Sequence, residues 1–441
     1  MSHSRGAVIP AHEKDCIVGK AQVCHLPDQG ASTRNSFHNI FILHRWTKLP
    51  PQRPSTPWNI VHVCSKWRGV ALQVPNLWND ISVSFSSDRQ LEFTRLTIML
   101  DVFLSRTGNA LISLEILAEH IQSSPLGSPD PFCKSIEAIV RPYAGRLRHL
   151  SIRPPDQFAA LLGQTEHALD VLESVSLYVP HFPDDVDAAT AGLTIPGGSH
   201  NLHKITVSTD STTIRLKSLL FPWAQLTELR ILNTIVTYAG CHAALRQCHN
   251  LVSFSLGYVP GDRVCHGNIP NTLLRNLKSL SIVGCAEGRY GHFLRPFVLP
   301  SLKEFLITGG TDADWLGLPS LITRSKCSLE RFEAQEFLTY EMLEFLHQVP
   351  SLIELSLRSS GQNIPELLSL GLVPNLQIFE CDMDCARLYI DPLEYRSRHL
   401  AVKAMRSWII YGDPEKAHEI IKKSARILAH RTNIIFQATE V

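Results

Sequence analysis

Along most of the chain, apolar residues recur in one short phrase: apolar, two variable positions, apolar, one variable position, apolar. Leu277-Lys-Ser-Leu280-Ser-Ile282 is a clear instance. Side chains of a strand alternate between its two faces, so Leu280 and Ile282 share one face while Ser279 and Ser281 point to the other. The phrase begins at Leu111, Leu147, Leu172, Leu202, Leu226, Leu251, Leu277, Leu302, Leu329, Leu352 and Leu376, at intervals of 23 to 36 residues. Each instance predicts a short strand, and stretches such as Met342–Leu346 and Cys241–Cys248 predict helical pieces between them. Three strands are approached through the same device: Leu299-Pro-Ser-Leu302, Val349-Pro-Ser-Leu352 and Val373-Pro-Asn-Leu376. Proline ends the preceding helix and biases the chain towards extended geometry.

A strand phrase at this period is the signature of a leucine-rich repeat solenoid. The fold class expected is α/β, with a parallel sheet on the concave face and helices on the convex face. In a regular array the ninth position is Asn or Cys, bonding the turning backbone. Here Cys285 takes that place once, while Thr234, Gly310, Ser360 and Asp384 stand there elsewhere. The turns are therefore expected to be held unevenly.

The flanks of the repeats have a different pattern. Residues 1–35 mix Gly, Pro, His, Gln and Ser without a period and read as a flexible arm. Residues 36–85 read as a helical module. Phe37, Ile40, Phe41 and Leu43 make a short amphipathic helix, a proline-dense linker follows, and Trp58–Leu72 is apolar on more than one stripe. Pro75-Asn-Leu77-Trp78 then breaks the helix, and Ile81-Ser-Val83-Ser-Phe85 alternates as a short strand. Residues 86–110 form a linking helix, residues 111–385 the repeats, and residues 386–441 a C-terminal helical cap. Asp413-Pro414 is a good helix start for that cap. A partner-binding amphipathic helix is the alternative there.

The Trp58–Ile81 stretch resembles the later part of an F-box. The residues that carry the likeness are Trp58, the run Val63-Cys64-Ser-Lys-Trp67-Arg68-Gly-Val-Ala71-Leu72, and Pro75-Asn-Leu77-Trp78-Asn-Asp-Ile81. It is similar to the F-box proteins with divergent leucine-rich repeats found in fungi, and the likeness continues through Arg106-Thr-Gly108 into the first repeat. One departure stands out. The family's opening Leu-Pro-carboxylate is displaced: Leu26-Pro27-Asp28 lies too early, and Ser32-Thr33 fills the place instead. The resemblance implies docking to the Skp adaptor of a cullin–RING ubiquitin ligase through Ile40, Phe41, Leu43, Trp58, Val61, Cys64, Trp67 and Trp78. The repeats would then hold a protein target for ubiquitin transfer. The alternative is a leucine-rich repeat scaffold that binds a partner without ligase docking.

Composition narrows the remaining classes. Forty-two basic and 41 acidic residues leave a formal charge of +1, so neither nucleic acid nor a membrane surface is implied as a partner. Eleven cysteines without a Cys-x-x-Cys pair suit buried thiols in a reducing compartment, cytoplasmic or nuclear. No secretory signal and no membrane span are expected. Cys241-His242 with Cys248-His249 could offer zinc four ligands, but their spacing on a helix favours the core. Gly309-Gly-Thr-Asp312-Ala-Asp314 lacks the ending of a phosphate loop. No nucleophile or metalloprotease motif appears, so no catalytic residue, metal or cofactor is expected.

Target recognition would fall to the third, fifth and seventh positions of each phrase, which face away from the packed leucines. Early repeats present His149, Ser151, Arg153, Lys204 and Thr206; middle ones present Ser253, Ser255, Ser279 and Ser281. Late ones present Glu304, Arg331, Glu333, Glu354, Arg358, Glu380 and Asp382. A graded binding surface and a merely solvated polar sheet both fit this pattern.

Overall fold

The leucine phrases fold into short strands that add to one another in chain order. The computed structural model describes residues 56–86, 90–119, 131–153, 169–179, 199–209, 216, 219, 221–233, 236–259, 270–285, 290–308, 317–335, 340–358, 372–399, 405–411 and 433–437. The early strands are β1 (Asp80–Ser86), β2 (Ile112–Glu119), β3 (Leu147–Arg153), β4 (Ser174–Val179) and β5 (Lys204–Thr209). The middle ones are β6 (Glu228–Leu232), β7 (Ser253–Val259), a short β8 (Thr272–Leu273), β9 (Ser279–Cys285), a short β10 (Phe297–Val298) and β11 (Glu304–Thr308). The late ones are β12 (Arg331–Gln335), β13 (Glu354–Arg358), β14 (Ile378–Asp382), β15 (Ser407–Tyr411) and β16 (Asn433–Gln437). Fourteen of them form one sheet in sequence order, from which only β8 and β10 stand aside as a separate pair. Every neighbouring pair in the large sheet is parallel.

The same backbone bonds recur along most of the array. The first leucine of a phrase donates its N–H to the carbonyl three residues earlier, as in Leu251 to Cys248, Leu302 to Leu299 and Leu376 to Val373. Pro300, Pro350 and Pro374 sit second in such turns, where a fixed φ suits the geometry. The residue after the first leucine offers a carbonyl that accepts two N–H groups of the next repeat. Val252 accepts from Lys278 and Ser279 at 2.8 and 3.1 Å, and Lys303 accepts from Glu330 and Arg331 at 2.8 and 2.9 Å.

An asparagine ladder runs along the same corner. Asn201, Asn250, Asn276 and Asn375 each immediately precede a first leucine, and each donates its side-chain amide to the previous repeat. Their acceptors are the carbonyls of Asp170, Ala224, His249 and Pro350, at 2.7 to 3.1 Å. The uneven ninth position is thus complemented by a side-chain bond on the opposite flank of the strand.

One face of the sheet is covered. Leu277, Leu280 and Ile282 are 0–1 % exposed, and the same three positions are buried from β3 to β13. The α-helices among the described residues are α1 (Thr56–Val63), α2 (Ser65–Leu72), α3 (Gln90–Arg106), α4 (Pro131–Val140), α5 (Tyr238–Leu245), α6 (Tyr290–Leu294), α7 (Gly317–Ser325), α8 (Tyr340–His347) and α9 (Met383–His399). Aromatic pairs join the layers. Phe332 of β12 meets Phe345 of α8 at 4.7 Å between centroids, and Phe379 of β14 meets Tyr389 of α9 at 4.8 Å. Helix α3 ends two residues before Gly108, whose φ of +54° lies in the left-handed region that glycine enters without a Cβ penalty. Arg146 donates to the Gly108 carbonyl and fastens that turn to the strand that follows.

Three expectations change. Leu111 is 42 % exposed, and Ile112 is buried in its stead. The register shifts between Ile112 and Ser113, so Ile112 pairs with Leu147 while Ser113 pairs with His149. The segment expected to end the 36–85 helical module is the first strand of the sheet: Asp80 pairs with Ser113, and Trp78 takes the place of the first leucine. The Trp78 N–H even makes the corner bond, to the Pro75 carbonyl. Finally, residues 386–441 are not wholly helical, because β15 and β16 carry the sheet onward. The helix expected after Asp413 lies outside the described residues, as does residues 1–55.

Ile112→Ala should therefore cost about 2–5 kcal/mol of stability, as deletion of a fully buried aliphatic chain does. Leu111→Ala should cost within about 0.5 kcal/mol. Urea unfolding of the two variants checks this, and equal losses would contradict the shifted register.

Candidate functional site

The open face of the sheet is built in cross-strand rows. The first row runs His149, Ser174, Lys204, Glu228, Ser253, Ser279, Glu304, Arg331, Glu354, Ile378 and Ser407. The second runs Ser151, Ser176, Thr206, Arg230, Ser255, Ser281, Leu306, Glu333, Ser356, Glu380 and Ile409. In the third, Tyr178 pairs with Ser208, Thr308 with Gln335, Gln335 with Arg358, and Asp382 with Tyr411. The face-pointing residues expected from the phrase thus fall into shared rows. Glu228 and Arg230, absent from those expectations, occupy the same third and fifth positions of the phrase at Leu226.

Charge on this face is sorted into clusters. Early on, Glu228 is held between Lys204 at 3.1 Å and Arg230 at 2.7 Å, and its carboxyl lies below its ordinary value despite the opposing pull of burial. Arg153 stacks over the Tyr178 ring at 3.7 Å. The middle rows are short: Ser253, Ser255, Ser279 and Ser281 are half-buried and uncharged. Late on, Arg331 reaches Glu354 at 3.2 Å and Glu333 at 3.8 Å, while Arg358 stands 3.9 Å from Glu333 and 4.0 Å over the Tyr411 ring. Tyr411 in turn donates to Glu380 at 3.3 Å.

The carboxylates differ in reach. Glu333 and Glu380 are only 8 % and 5 % exposed, so they form a floor rather than the contact surface expected of them. Glu304 is exposed and Glu354 half-buried. Burial, with the carboxylates of Glu380, Glu333 and Glu304 nearby, holds Glu354 above its ordinary value, although Arg331 pulls the other way.

The second surface belongs to the α1–α2 pair, whose helices meet at the extended residue Cys64. Arg68 Nε donates to the Val61 carbonyl at 2.9 Å and locks the corner. Val63, Cys64 and Leu72 are exposed there, and Ile60, Trp67 and Val70 half-buried. Val63 and Leu72 thus leave apolar area uncovered among the described residues. Two of the expected docking residues do not belong to it. Val61 is 4 % exposed, and Trp78 is fully buried. Trp78 Nε1 donates to the Ala71 carbonyl at 2.8 Å, its ring meets Phe103 edge-on at 5.1 Å, and Arg106 covers it at 4.5 Å. It joins α2 to the sheet because it holds the first position of a strand phrase. Ile40, Phe41 and Leu43 lie outside the described residues, as does the side chain of Trp58.

The Cys/His group of α5 is part of the packing. Cys241 and Cys248 are buried, which pushes both thiols upward, Cys248 to about 12. His249 is exposed, away from them. His242 lies 3.0 Å from the Phe293 carbonyl through Nε2 and 2.9 Å from Thr272 Oγ1 through Nδ1. A carbonyl can only accept, so Nε2 carries the proton and Nδ1 accepts from the threonine hydroxyl. Phe293 and Phe297 flank the ring at 5.1 and 4.5 Å. The Gly309–Asp314 turn lies outside the described residues. Among the described residues no helix is long and apolar enough to cross a membrane.

No protein-family model matches the chain, and no curated protein does either.

Burial lowers His242 to about 4, so it is neutral in the folded chain and must be protonated against the packing in acid. The unfolded state binds that proton first, at about pH 6.5. Stability is then full above that pH and falls as pH drops towards about 4, by on the order of 3 kcal/mol. Unfolding free energies between those limits should fall more steeply for the wild type than for His242→Gln. Parallel pH profiles would contradict this role.

Proposed function

We propose that the chain is a non-enzymatic substrate-recognition adaptor of a cullin–RING ubiquitin ligase. Its F-box-like N-terminal module docks to a Skp-type adaptor, and its leucine-rich repeat solenoid holds a protein target. The observation that carries this reading is the pairing of two unlike surfaces on one chain. The α1–α2 pair leaves Val63 and Leu72 62 % and 40 % exposed beside half-buried Trp67. Behind it runs a parallel sheet whose open face is polar and divided by charge. The first surface suits a hydrophobic helical partner; the second suits a selective protein contact. The chain would supply proximity, bringing a bound target within reach of a ubiquitin-charged enzyme.

The displaced Leu26-Pro27-Asp28 favours a second reading, a leucine-rich repeat scaffold that binds a partner without ligase docking. Adaptor capture separates the two. The purified full chain should bind a Skp adaptor, and Val63→Asp with Leu72→Asp should weaken that binding by about 2 kcal/mol or more, as loss of central apolar anchors does. Its melting temperature should stay close to that of the wild type, because both residues are exposed. Failure of the wild type to bind any Skp adaptor would establish the scaffold reading instead.

A further inference from the structure

Late in the repeats, the described residues place more carboxylates than guanidiniums on the open face. Glu304, Glu333, Glu354 and Glu380 answer to two guanidiniums, Arg331 and Arg358. Arg331 is shared between Glu354 and Glu333, and Arg358 approaches only Glu333 among them. Glu304 has no ion-pair partner among the described residues, although Arg331 is its neighbour in the row. A second, independent feature lies within the group. Ser356 stands between Glu333 and Glu380 in the second row, on the open face because Leu355 and Leu357 point into the core. It is fully buried, and its Oγ has no hydrogen-bond partner among the described residues. Buried hydroxyls are ordinarily paired, so this one leaves a polar atom, able to donate or accept, unanswered in the row between the two carboxylates.

The geometry points to a cation-recognition subsite, resting on the reading of this sheet as a target-binding surface: Glu304 and Glu354, above the Glu333–Ser356–Glu380 floor, receive an arginine or lysine side chain of an extended protein segment. Charge complementarity selects the cation. The scale selects a polypeptide, because β11 to β14 span about 14 Å, the length of four or so extended residues. Next along the two rows stand Ile378 and Ile409, both half-buried. They place an apolar floor beside the cation subsite and favour an aliphatic residue next to the basic one.

The test is a selection on immobilised full-length chain from a random extended-peptide display library, run in parallel on the wild type and on Glu304→Gln/Glu354→Gln. The wild type should enrich peptides with Arg or Lys beside Ile, Leu or Val. The best of these should bind the double variant at least about tenfold more weakly, as loss of a charge partner at an interface does. Their binding to the wild type should also weaken as ionic strength rises past about 0.15 M, a readout that needs no variant. Enrichment of uncharged or acidic peptides, no enrichment, or equal affinity for both proteins would overturn the proposal. Adaptor capture is scored separately on the same preparations. Its failure with basic selection intact would remove ligase docking alone; success with charge-blind selection would remove this subsite alone.

Discussion

The carbonyl that follows each first leucine governs the assembly of this chain. It accepts two backbone N–H groups of the next repeat, so every repeat must arrive at the same height as the one before it. With that height fixed, the first, fourth and sixth positions of each phrase fall on one face, and their burial excludes water from the whole covered layer. The third and fifth positions are then forced into common rows on the open face. Neither Glu354 nor Ser279 has any local reason to sit beside its row neighbours. They meet because the backbone bonds repeat. Such an array is held by nearest-neighbour contacts, so the surface chemistry can change along it without disturbing the fold.

That separation explains how one face carries different chemistries. Serine rows in the middle leave backbone and short side chains accessible. From β11 onward carboxylates gather, and burial together with their crowding holds Glu354 above its ordinary value against the pull of Arg331. On the covered side, the buried imidazole of His242 is fixed by Thr272 and Phe293 and remains uncharged.

Much of this was legible in the residues. The leucine phrase is periodic, and periodicity reports burial directly. What escaped it had physical reasons. Leu111 and Ile112 are adjacent and equally apolar, so pattern alone cannot say which enters the core; the register shift decides. Strand β15 is built on Trp408 and Ile410, with Met405 at the first-leucine place, so no phrase announces it. Trp78 was expected among the docking residues through its resemblance to the F-box pattern. It lies in the core because Trp78-Asn-Asp-Ile81-Ser-Val83 is itself a strand phrase with tryptophan in first position. The asparagines before the first leucines were visible at Asn201, Asn250, Asn276 and Asn375. Their bonding partners are a full repeat away and emerge only once the repeats are stacked. On the open face, rows could be anticipated, but the depth of Glu333 and Glu380 could not, because it depends on the long side chains around them.

Two unlike surfaces on one chain should meet two unlike partners. Site-specific photo-crosslinking in the chain's native cells tests this most directly, with the photoreactive residue placed at Leu72 in one protein and at Ser279 in another. The expected result is a Skp adaptor captured from Leu72 alone, with a different protein captured from Ser279. Recovery of one and the same partner from both positions, or of no Skp adaptor from Leu72, would contradict the division of labour proposed for this chain.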